Sequence, residues 1–428
     1  MVKENPTWYE TKAVQDMMAA MGGKAVRGVM SNYLSSNIYA GKLGLIGVTG
    51  FMEATLDKED RRALIICDEF TQRYAKKVTD LLETIDMEYK VWSKVIPEVP
   101  LPQVEEAAKL CEEFKPKVII AIGGGSVMDA AKGTMLKYEK PEENLLMILP
   151  IGSLGLRKKI KYLITIPTTS GTGSEVTNVA VLTDTERDPP KKIEVIAAEL
   201  VPDICVLDTD FVKDMPPFLT MATGLDALAH SVGSYVSNWG TPYVDAMNIT
   251  AIKEVVKYLP RVYKHGGDLE GRAHMQMAAT MAGLGFGNSV PGIDHSLGHS
   301  FGKIFGVHHG LAVGIFLPYS VDFQSKVTDR WMDLCPILGV ETKNKDRDDL
   351  FKEFMQALKD FMHSLDAPTC IKDLKNPIIN KEEYFDKLDL LADYAFNDAV
   401  SLFSYRTITP ETMKKIFEYA WEGKSIDF

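Results

Sequence analysis

The sequence predicts an α/β domain built on a parallel sheet, followed by a domain that is entirely α-helical. Short apolar runs bounded by Gly, Pro, Asp or Ser recur through the first half of the chain. Continuous rather than alternating runs, separated by helix-like stretches, are typical of parallel strands covered on both faces. Beyond residue 211 these runs give way to Ala, Met and Leu spaced for helices. The predicted domains are therefore 1–211 and 212–428.

The elements follow in order along the chain. The predicted strands are ALIICD (63–68), KVIIAIGGGS (117–126), YLITIPTTSG (162–171) and DICVLD (203–208). Apolar residues recur with a period of about 3.6 in TQRYAKKVTDLLETI (71–85) and from Val104 to Phe114, which predicts helices there. The stretch VAVLTDTERDPPKKIEV (179–195) interrupts this alternation and indicates a hairpin. Later stretches such as TMATGLDALAHSVGSYV (220–236) have helical spacing.

Composition favours a small-molecule partner. The chain has 48 basic and 59 acidic residues and a net charge of −11, whereas binding to nucleic acid rests on clustered Lys and Arg. No run approaches the roughly eighteen apolar residues of a membrane span, and MVKENPTWYE lacks the pattern of a secretory signal. We expect a cytoplasmic homo-oligomer that binds neither nucleic acid nor membranes. Five scattered cysteines without a C-x-x-C pair predict reduced, buried thiols.

The stretch IIAIGGGSVMDAAKG places three glycines between a predicted strand and a predicted helix. The S-x-x-D spacing of Ser126 and Asp129 predicts a capping box at the start of that helix. Residues 123–125 lack a Cβ, so their amides can approach a ligand closely, and the helix dipole favours an anion such as a pyrophosphate. A G-x-G-x-x-G fingerprint is excluded because Met128 replaces its third glycine. A tight turn without a ligand is the alternative.

Two further features follow predicted strands. IPTTSGTGSEVT (166–177) combines many hydroxyls with two glycines, which suits a loop that surrounds polar ligand groups. Asp68 closes the first predicted strand at its carboxyl end, where ligands bind in open α/β sheets. A carboxylate there accepts both ribose hydroxyls of an adenosine and repels a 2′-phosphate. The alternatives are a connecting loop and an ordinary turn residue.

Histidines are concentrated near residue 300. The chain has 8 histidines, and four of them lie in PGIDHSLGHSFGKIFGVHHG (291–310). His295 and His299 share one face of a helix, and His309 follows glycines that let the chain turn back. Asp226 and His230 form another pair four residues apart. Converging helices with such pairs suit a divalent transition metal, not calcium or magnesium. Helix-capping or core histidines are the alternative.

Four motifs together resemble the iron-dependent (group III) alcohol dehydrogenase family of the dehydroquinate synthase-like superfamily. They are GGGSVMDAAK, IPTTSGTGSEVT, GLDALAH and DHSLGHSFGKIFGVHHG. The resemblance implies an N-terminal dinucleotide-binding domain and an all-α metal-binding domain. It further implies a metal-dependent, NAD-linked dehydrogenase that transfers a hydride reversibly between a small alcohol and NAD. Fe²⁺ is the implied metal, and Zn²⁺ suits the same ligands.

The resemblance also assigns roles to particular residues. The implied metal ligands are Asp226, His230, His295 and His309. His299 is the implied non-ligand histidine beside the nicotinamide and a candidate for proton transfer. The implied cofactor-binding residues are Asp68, Gly124, Gly125, Ser126, Asp129, Thr168, Thr169, Thr172, Thr177 and Lys192. Among these, Asp68 is the residue that favours NAD over NADP.

Two alternative functions remain at this level. A glycerol dehydrogenase or dehydroquinate-synthase-like enzyme has the same fold and a compatible ligand set, although the PTTSGTGSEVT loop favours an alcohol dehydrogenase. A non-catalytic nucleotide-binding protein belongs to a different class, and the intact ligand positions argue against it. His308 and Lys303 depart from the family pattern. We therefore expect the substrate pocket to differ from that of other family members.

Overall fold

The computed structural model describes residues 7–21, 34, 37–148, 153–187 and 190–428. Contacts within the chain divide it into two compact units, of which the first ends at Met215 and the second contains Pro216–Phe428. The N-terminal helix α1 (Lys12–Met21) groups with the second unit.

The first unit is built on a six-stranded sheet in which every strand pair is parallel. Its strands, together with a separate hairpin, are β1 (Asn37–Ala40), β2 (Arg62–Asp68), β3 (Glu88–Val95), β4 (Val118–Gly123), β5 (Tyr162–Pro167), β6 (Val179–Asp184), β7 (Lys191–Ile196) and β8 (Ile204–Leu207). The order in the sheet is β1-β8-β5-β4-β2-β3, and β6 pairs with β7 in the antiparallel hairpin. The predicted parallel sheet and hairpin are confirmed.

Helices cover both faces of this sheet. They are α2 (Gly44–Thr55), α3 (Ala75–Glu83), α4 (Leu101–Phe114) and α5 (Gly125–Glu139). In β2, Leu64 and Ile66 pack towards α4 and α5, while Ile65 and Cys67 pack towards α2 and α3. All four side chains are fully buried. Because both faces are covered, the strand is apolar at successive positions rather than at alternate ones.

All regular elements in the described residues of the second unit are helices, as the change in sequence texture predicts. Its helices are α6 (Pro217–Tyr235), α7 (Pro242–Lys264), α8 (Leu269–Phe286), α9 (Ile293–Phe305), α10 (His309–Ser325), α11 (Arg347–His363), α12 (Lys381–Asp386), α13 (Leu388–Phe396) and α14 (Pro410–Glu422). Residues 310–325 of α10 are all buried, so this helix runs through the core of the unit. In the described parts of the chain, no helix has both the length and the apolar character needed to cross a bilayer.

Candidate functional site

The predicted nucleotide-binding segments begin where neighbouring strands of the first unit end. Asp68 is the last residue of β2, Gly123 ends β4 and Pro167 ends β5. The strand that follows β2 in the sequence, β3, lies on one side of β2, and the next strand, β4, lies on the other side. The order of strands across the sheet therefore reverses at β2. Open α/β sheets bind ligands beside such a reversal, at the carboxyl ends of the strands.

The glycine turn and the threonine-rich loop pack directly against each other. A Cβ on Gly124 would lie 3.3 Å from the Thr169 side chain, and a Cβ on Gly125 would lie 2.8 Å from Thr172 Cγ2. A larger residue at position 125 would collide with Thr172, so this approach needs glycine. The partly exposed residues along this edge are Gly124, Gly125, Ser126, Thr169 and Thr172.

The predicted capping box at the start of α5 is wrong. The helix begins at Gly125 with Gly124 as its N-cap, and the Asp129 carboxylate is engaged elsewhere. Its Oδ1 accepts a hydrogen bond from Ser174 Oγ at 2.6 Å, and its Oδ2 accepts one from the Val181 amide at 3.1 Å. Asp129 therefore binds the threonine-rich loop and does not cap the helix. This contact favours a role in positioning the loop over direct contact with a nucleotide.

Lys132 is a buried residue that contacts the same loop; it ends the motif GGGSVMDAAK, but the sequence analysis gave it no role. Its Nζ donates hydrogen bonds to Ser174 Oγ at 2.8 Å, Thr177 Oγ1 at 3.1 Å and the Val179 carbonyl at 2.7 Å. It also lies 4.0 Å from Asp129 Oδ1. Burial lowers the pKa of Lys132 to about 8. Lys132 and Asp129 thus fix the position of the threonine-rich loop through hydrogen bonds, and Thr177 accepts one of them.

The remaining predicted nucleotide residues lie around this edge. Asp68 Oδ1 accepts a hydrogen bond from the Thr71 amide at 2.6 Å, and the Asp68 amide donates to Thr71 Oγ1 at 3.1 Å, which closes the turn after β2. Thr168 is buried, and its amide donates to the Gly123 carbonyl at 3.0 Å. Lys192 lies on β7 in the hairpin, where its Nζ is 4.0 Å from Glu98 Oε1.

The predicted metal ligands come from three helices of the second unit. Asp226 and His230 lie one turn apart on α6, and His295 lies on α9. His309 is the first residue of α10. Gly306 ends α9 with a φ of +67°, the left-handed conformation that glycine adopts without strain, and this turn leads the chain back to His309.

Three imidazoles surround one oxygen of Asp226. His230 Nδ1 and His295 Nε2 each lie 3.7 Å from Asp226 Oδ1, and His309 Nε2 lies 3.3 Å from it. Ligand atoms about 2.1 Å from a shared cation lie about 3.4 Å apart in a tetrahedral arrangement. The three distances from Asp226 Oδ1 are thus compatible with one divalent cation, and the ligand atoms of Asp226, His230 and His295 all lie within 4.8 Å of one another.

The polar atoms at the centre of this cluster also require a partner. Asp226 Oδ1, His230 Nδ1 and His295 Nε2 are buried, and none of them has a hydrogen-bond partner among the described residues. Buried polar atoms are almost always paired, because leaving them unpaired costs free energy. A cation coordinated by all three atoms satisfies each of them, so the donor set fits a metal.

The electrostatics of the cluster agree with this assignment for His230 and Asp226. Burial lowers the pKa of His230 well below its ordinary value, so the imidazole is neutral, as a ligand must be. Burial acts to raise the pKa of Asp226, but His230 and His309 outweigh it and hold that pKa well below the ordinary value. Burial acts to lower the pKa of His295, but Asp226 and Asp294 raise it to about 9, so this imidazole has to lose a proton before it binds a metal.

His299 lies beside the cluster, one turn after His295 on α9. Its ring stacks on His309 with the centroids 5.1 Å apart. Its Nδ1 donates to Asp398 Oδ2 at 2.8 Å, and the Asp398 carboxylate is 7% exposed. Asp398 Oδ1 accepts the Val400 amide at 2.9 Å. No sequence pattern pointed to Asp398, since 99 residues separate it from His299.

A parallel sheet with a glycine turn beside its reversal, and a helical unit with three imidazoles around a carboxylate, fit a metal-dependent dehydrogenase. The chain belongs to the iron-containing alcohol dehydrogenase family. Residues 46–209 match the family described as iron-containing alcohol dehydrogenase, and residues 220–421 match the C-terminal part of the Fe-containing alcohol dehydrogenase family. The family predicted from the motifs is confirmed.

Individual relatives cover nearly the whole chain. The sequence is 32% identical to the NADPH-dependent butanol dehydrogenase of Clostridium saccharobutylicum, over 92% of this chain and 99% of the relative. The alcohol dehydrogenase of Oenococcus oeni superposes with a TM-score of 0.83 at 26% identity, over 92% of this chain and 100% of that one. The iron-containing alcohol dehydrogenase of Thermococcus thioreducens gives 0.80 at 28%, with the same coverage. The protein is therefore an oxidoreductase that interconverts alcohols and carbonyl compounds.

Proposed function

We propose that this enzyme oxidises small primary alcohols with NAD, and reduces the matching aldehydes, using one Fe²⁺ held by Asp226, His230, His295 and His309. The observation that carries the proposal is the set of three imidazole nitrogens 3.3 to 3.7 Å from one buried carboxylate oxygen. The family name, iron-containing alcohol dehydrogenase, supports the choice of metal.

The bound cation supplies Lewis-acid chemistry, which lowers the pKa of a substrate hydroxyl and polarises a substrate carbonyl. The protein supplies the positions of the ligands, because α6 carries Asp226 and His230, α9 carries His295, and α10 begins at His309. His299 supplies the proton path. Because its Nδ1 donates to Asp398, the neutral ring presents Nε2 as the nitrogen that takes up or releases the proton.

The first unit binds the dinucleotide in this proposal. Backbone amides of the glycine turn meet the pyrophosphate at the start of α5, where the helix dipole favours negative charge. Asp68 Oδ1 is engaged by the Thr71 amide, so Oδ2 is the atom that we assign to the ribose hydroxyls. This assignment favours NAD, whereas the butanol dehydrogenase relative is named for NADPH.

The test uses anaerobically prepared protein loaded with Fe²⁺ and a matched preparation loaded with Zn²⁺. Ethanol, butanol, propanediol and glycerol are offered with NAD or NADP, and formation of the reduced cofactor is followed by absorbance. We expect turnover of at least one small alcohol with Fe²⁺ and a kcat/KM about tenfold or more higher with NAD than with NADP. Absence of turnover together with absence of NADH binding contradicts the proposal, and a preference for NADP overturns the role of Asp68.

A further inference from the structure

A second buried carboxylate lies directly behind the metal site. Asp294 precedes His295 in the first turn of α9, and its side chain is fully buried. The Nδ1 of His295 donates to Asp294 Oδ1 at 2.6 Å. The other ring nitrogen, Nε2, faces Asp226 Oδ1 at 3.7 Å. The imidazole of His295 is therefore held between two carboxylates, one at each nitrogen.

We propose that Asp294 is a positioning residue of the metal site, which orients His295 towards the cation and balances the charge of that cation. The inference rests on the metal site of the proposed function. A hydrogen bond from Nδ1–H fixes the ring in the tautomer whose Nε2 lone pair is available to a metal. Carboxylates that hold a ligand histidine in this way strengthen metal binding in other proteins.

Charge balance gives Asp294 a second role. Asp226 alone leaves a divalent cation with one uncompensated positive charge in a site where Asp226 and Asp294 are 1% and 0% exposed. Buried charges are costly unless they are paired. With Asp294 included, two carboxylates match the two positive charges of the cation when the three imidazoles bind it in their neutral form.

Two glycines leave the space that this carboxylate fills. A Cβ on Gly292 would lie 2.3 Å from Asp294 Oδ2, and a Cβ on Gly233 would lie 3.1 Å from it. Gly233 lies on α6, three residues after His230. The helix that carries two of the ligands therefore also makes room for the carboxylate behind the third.

His230, the histidine ligand on α6, is positioned by a different kind of contact. The ring of His230 stacks on Phe286 with the centroids 4.0 Å apart and an angle of 11° between the planes. This contact restricts the ring without adding charge. Asp294 thus combines orientation of a ligand with negative charge, which is why its substitution is expected to affect metal affinity more than the loss of an ordinary buried hydrogen bond.

The experiment compares metal affinity in the full-length protein by chelator competition with Co²⁺ and Fe²⁺. The variants are Asp294→Ala, Asp294→Asn and, as the matched control, Asp322→Asn. Asp322 is a buried carboxylate of α10 in the same unit, which pairs with Lys326 at 3.0 Å and accepts the Ile426 amide at 2.7 Å. Asp322→Asn therefore shows how much the loss of a buried structural carboxylate by itself changes metal affinity.

We expect Asp294→Ala to weaken binding by about 10- to 100-fold. Asp294→Asn retains an oxygen that accepts from His295 Nδ1 but loses the charge, so its affinity is expected to fall between those of Asp294→Ala and the wild type. The Co²⁺ absorption bands are expected to persist in the Asn variant, because all four ligands remain. Asp322→Asn is expected to bind metal as the wild type does, whatever its thermal stability.

Two results overturn the inference. One is wild-type affinity in both Asp294 variants, and the other is an equal loss of affinity in Asp322→Asn. If Asp294→Ala does not fold, the Asn variant decides the question by itself. A further variant, His295→Ala, tests the metal site itself. If the wild type binds no cation, or if His295→Ala binds as tightly as the wild type, then the proposed function is wrong and not only the role of Asp294.

Discussion

At the scale of single residues, Asp68 is the group that we expect to select the cofactor. Asp68→Asn keeps an acceptor for the Thr71 amide but removes the charge that repels a 2′-phosphate. We predict that the preference for NAD, measured as the ratio of kcat/KM values with NAD and NADP, falls about tenfold. This fall corresponds to a change of about 1.4 kcal/mol in the free energy by which the enzyme distinguishes the two cofactors.

The control for this prediction is Glu69→Gln. Glu69 is an exposed neighbour, so its substitution changes the local charge equally without altering the end of β2. An unchanged cofactor ratio in Asp68→Asn, or an equal change in Glu69→Gln, contradicts the assignment.

His299 is the second residue whose role can be isolated. His299→Ala is expected to lower kcat by about 10² to 10⁴, the usual contribution of a positioned acid or base. Metal content is expected to stay near one per chain, because the four ligand atoms are untouched. Atomic absorption and steady-state kinetics measure the two quantities. His274→Ala, at a partly buried position of α8 where the ring contacts Glu254 and Tyr258, serves as the control, and wild-type kcat in metal-replete His299→Ala would refute the role.

At the scale of elements, the buried strands were predictable and the edge strands were not. β2, β4, β5 and β8 have four or more successive buried residues, so they appear in the sequence as apolar runs. β3 lies at the edge of the sheet with only two of its residues buried, and its sequence EYKVWSKV contains no such run. β1 has only four residues. β8 is equally short but fully buried, whereas β1 is the other edge strand and none of its residues is buried, so edge position removes the signal on which the prediction depends.

The same limit applies to the site. Asp226, His230, His295 and His299 were found because helical spacing places them on shared faces. Lys132 was missed because its three hydrogen-bond partners lie more than forty residues away in the sequence. A tertiary contact of this kind leaves no periodic pattern in the sequence.

Lys132 provides a prediction about the threonine-rich loop. Lys132→Met removes the three hydrogen bonds made by Nζ and leaves the Asp129 carboxylate buried without its counter-charge. Breaking a buried pair in this way is expected to lower the free energy of unfolding by about 3 to 5 kcal/mol. Urea denaturation measures the change. Lys109→Met, on an exposed position of α4, is the control, and equal stability of the two variants would contradict the role of Lys132.

The close approach of α6 to the start of α9 gives a prediction about glycine. A Cβ on Gly233 would lie 2.3 Å from the Gly292 amide nitrogen, so Gly233→Ala is expected to cost about 1 to 3 kcal/mol of stability. On α2, a Cβ on Gly50 would meet no atom within 4 Å, and Gly50→Ala is expected to stabilise the protein by about 0.5 to 1 kcal/mol. Denaturant unfolding of both variants tests the contrast, and effects of the same sign would contradict it.

At the scale of the whole molecule, each unit has its own hydrophobic core, and the metal ligands belong to the helical unit alone. A cation that binds only the folded state stabilises that unit by about 2.7 kcal/mol at a free concentration of 100 times Kd. We therefore expect chelation to lower the melting temperature of a transition assigned to this unit. Calorimetry with and without Fe²⁺ measures it, and His295→Ala is expected to abolish the metal-dependent increment. A melting temperature that is insensitive to metal in the wild type would be inconsistent with the site.

The central claim is that one cation is shared by a carboxylate and three imidazoles of the helical unit. Anomalous diffraction at the iron edge, from crystals of Fe²⁺-loaded protein, tests it most directly. The account predicts a single peak per chain, about 2.0 to 2.2 Å from Asp226, His230, His295 and His309. A peak at another place, or imidazoles of these residues that point away from a common centre, would contradict it.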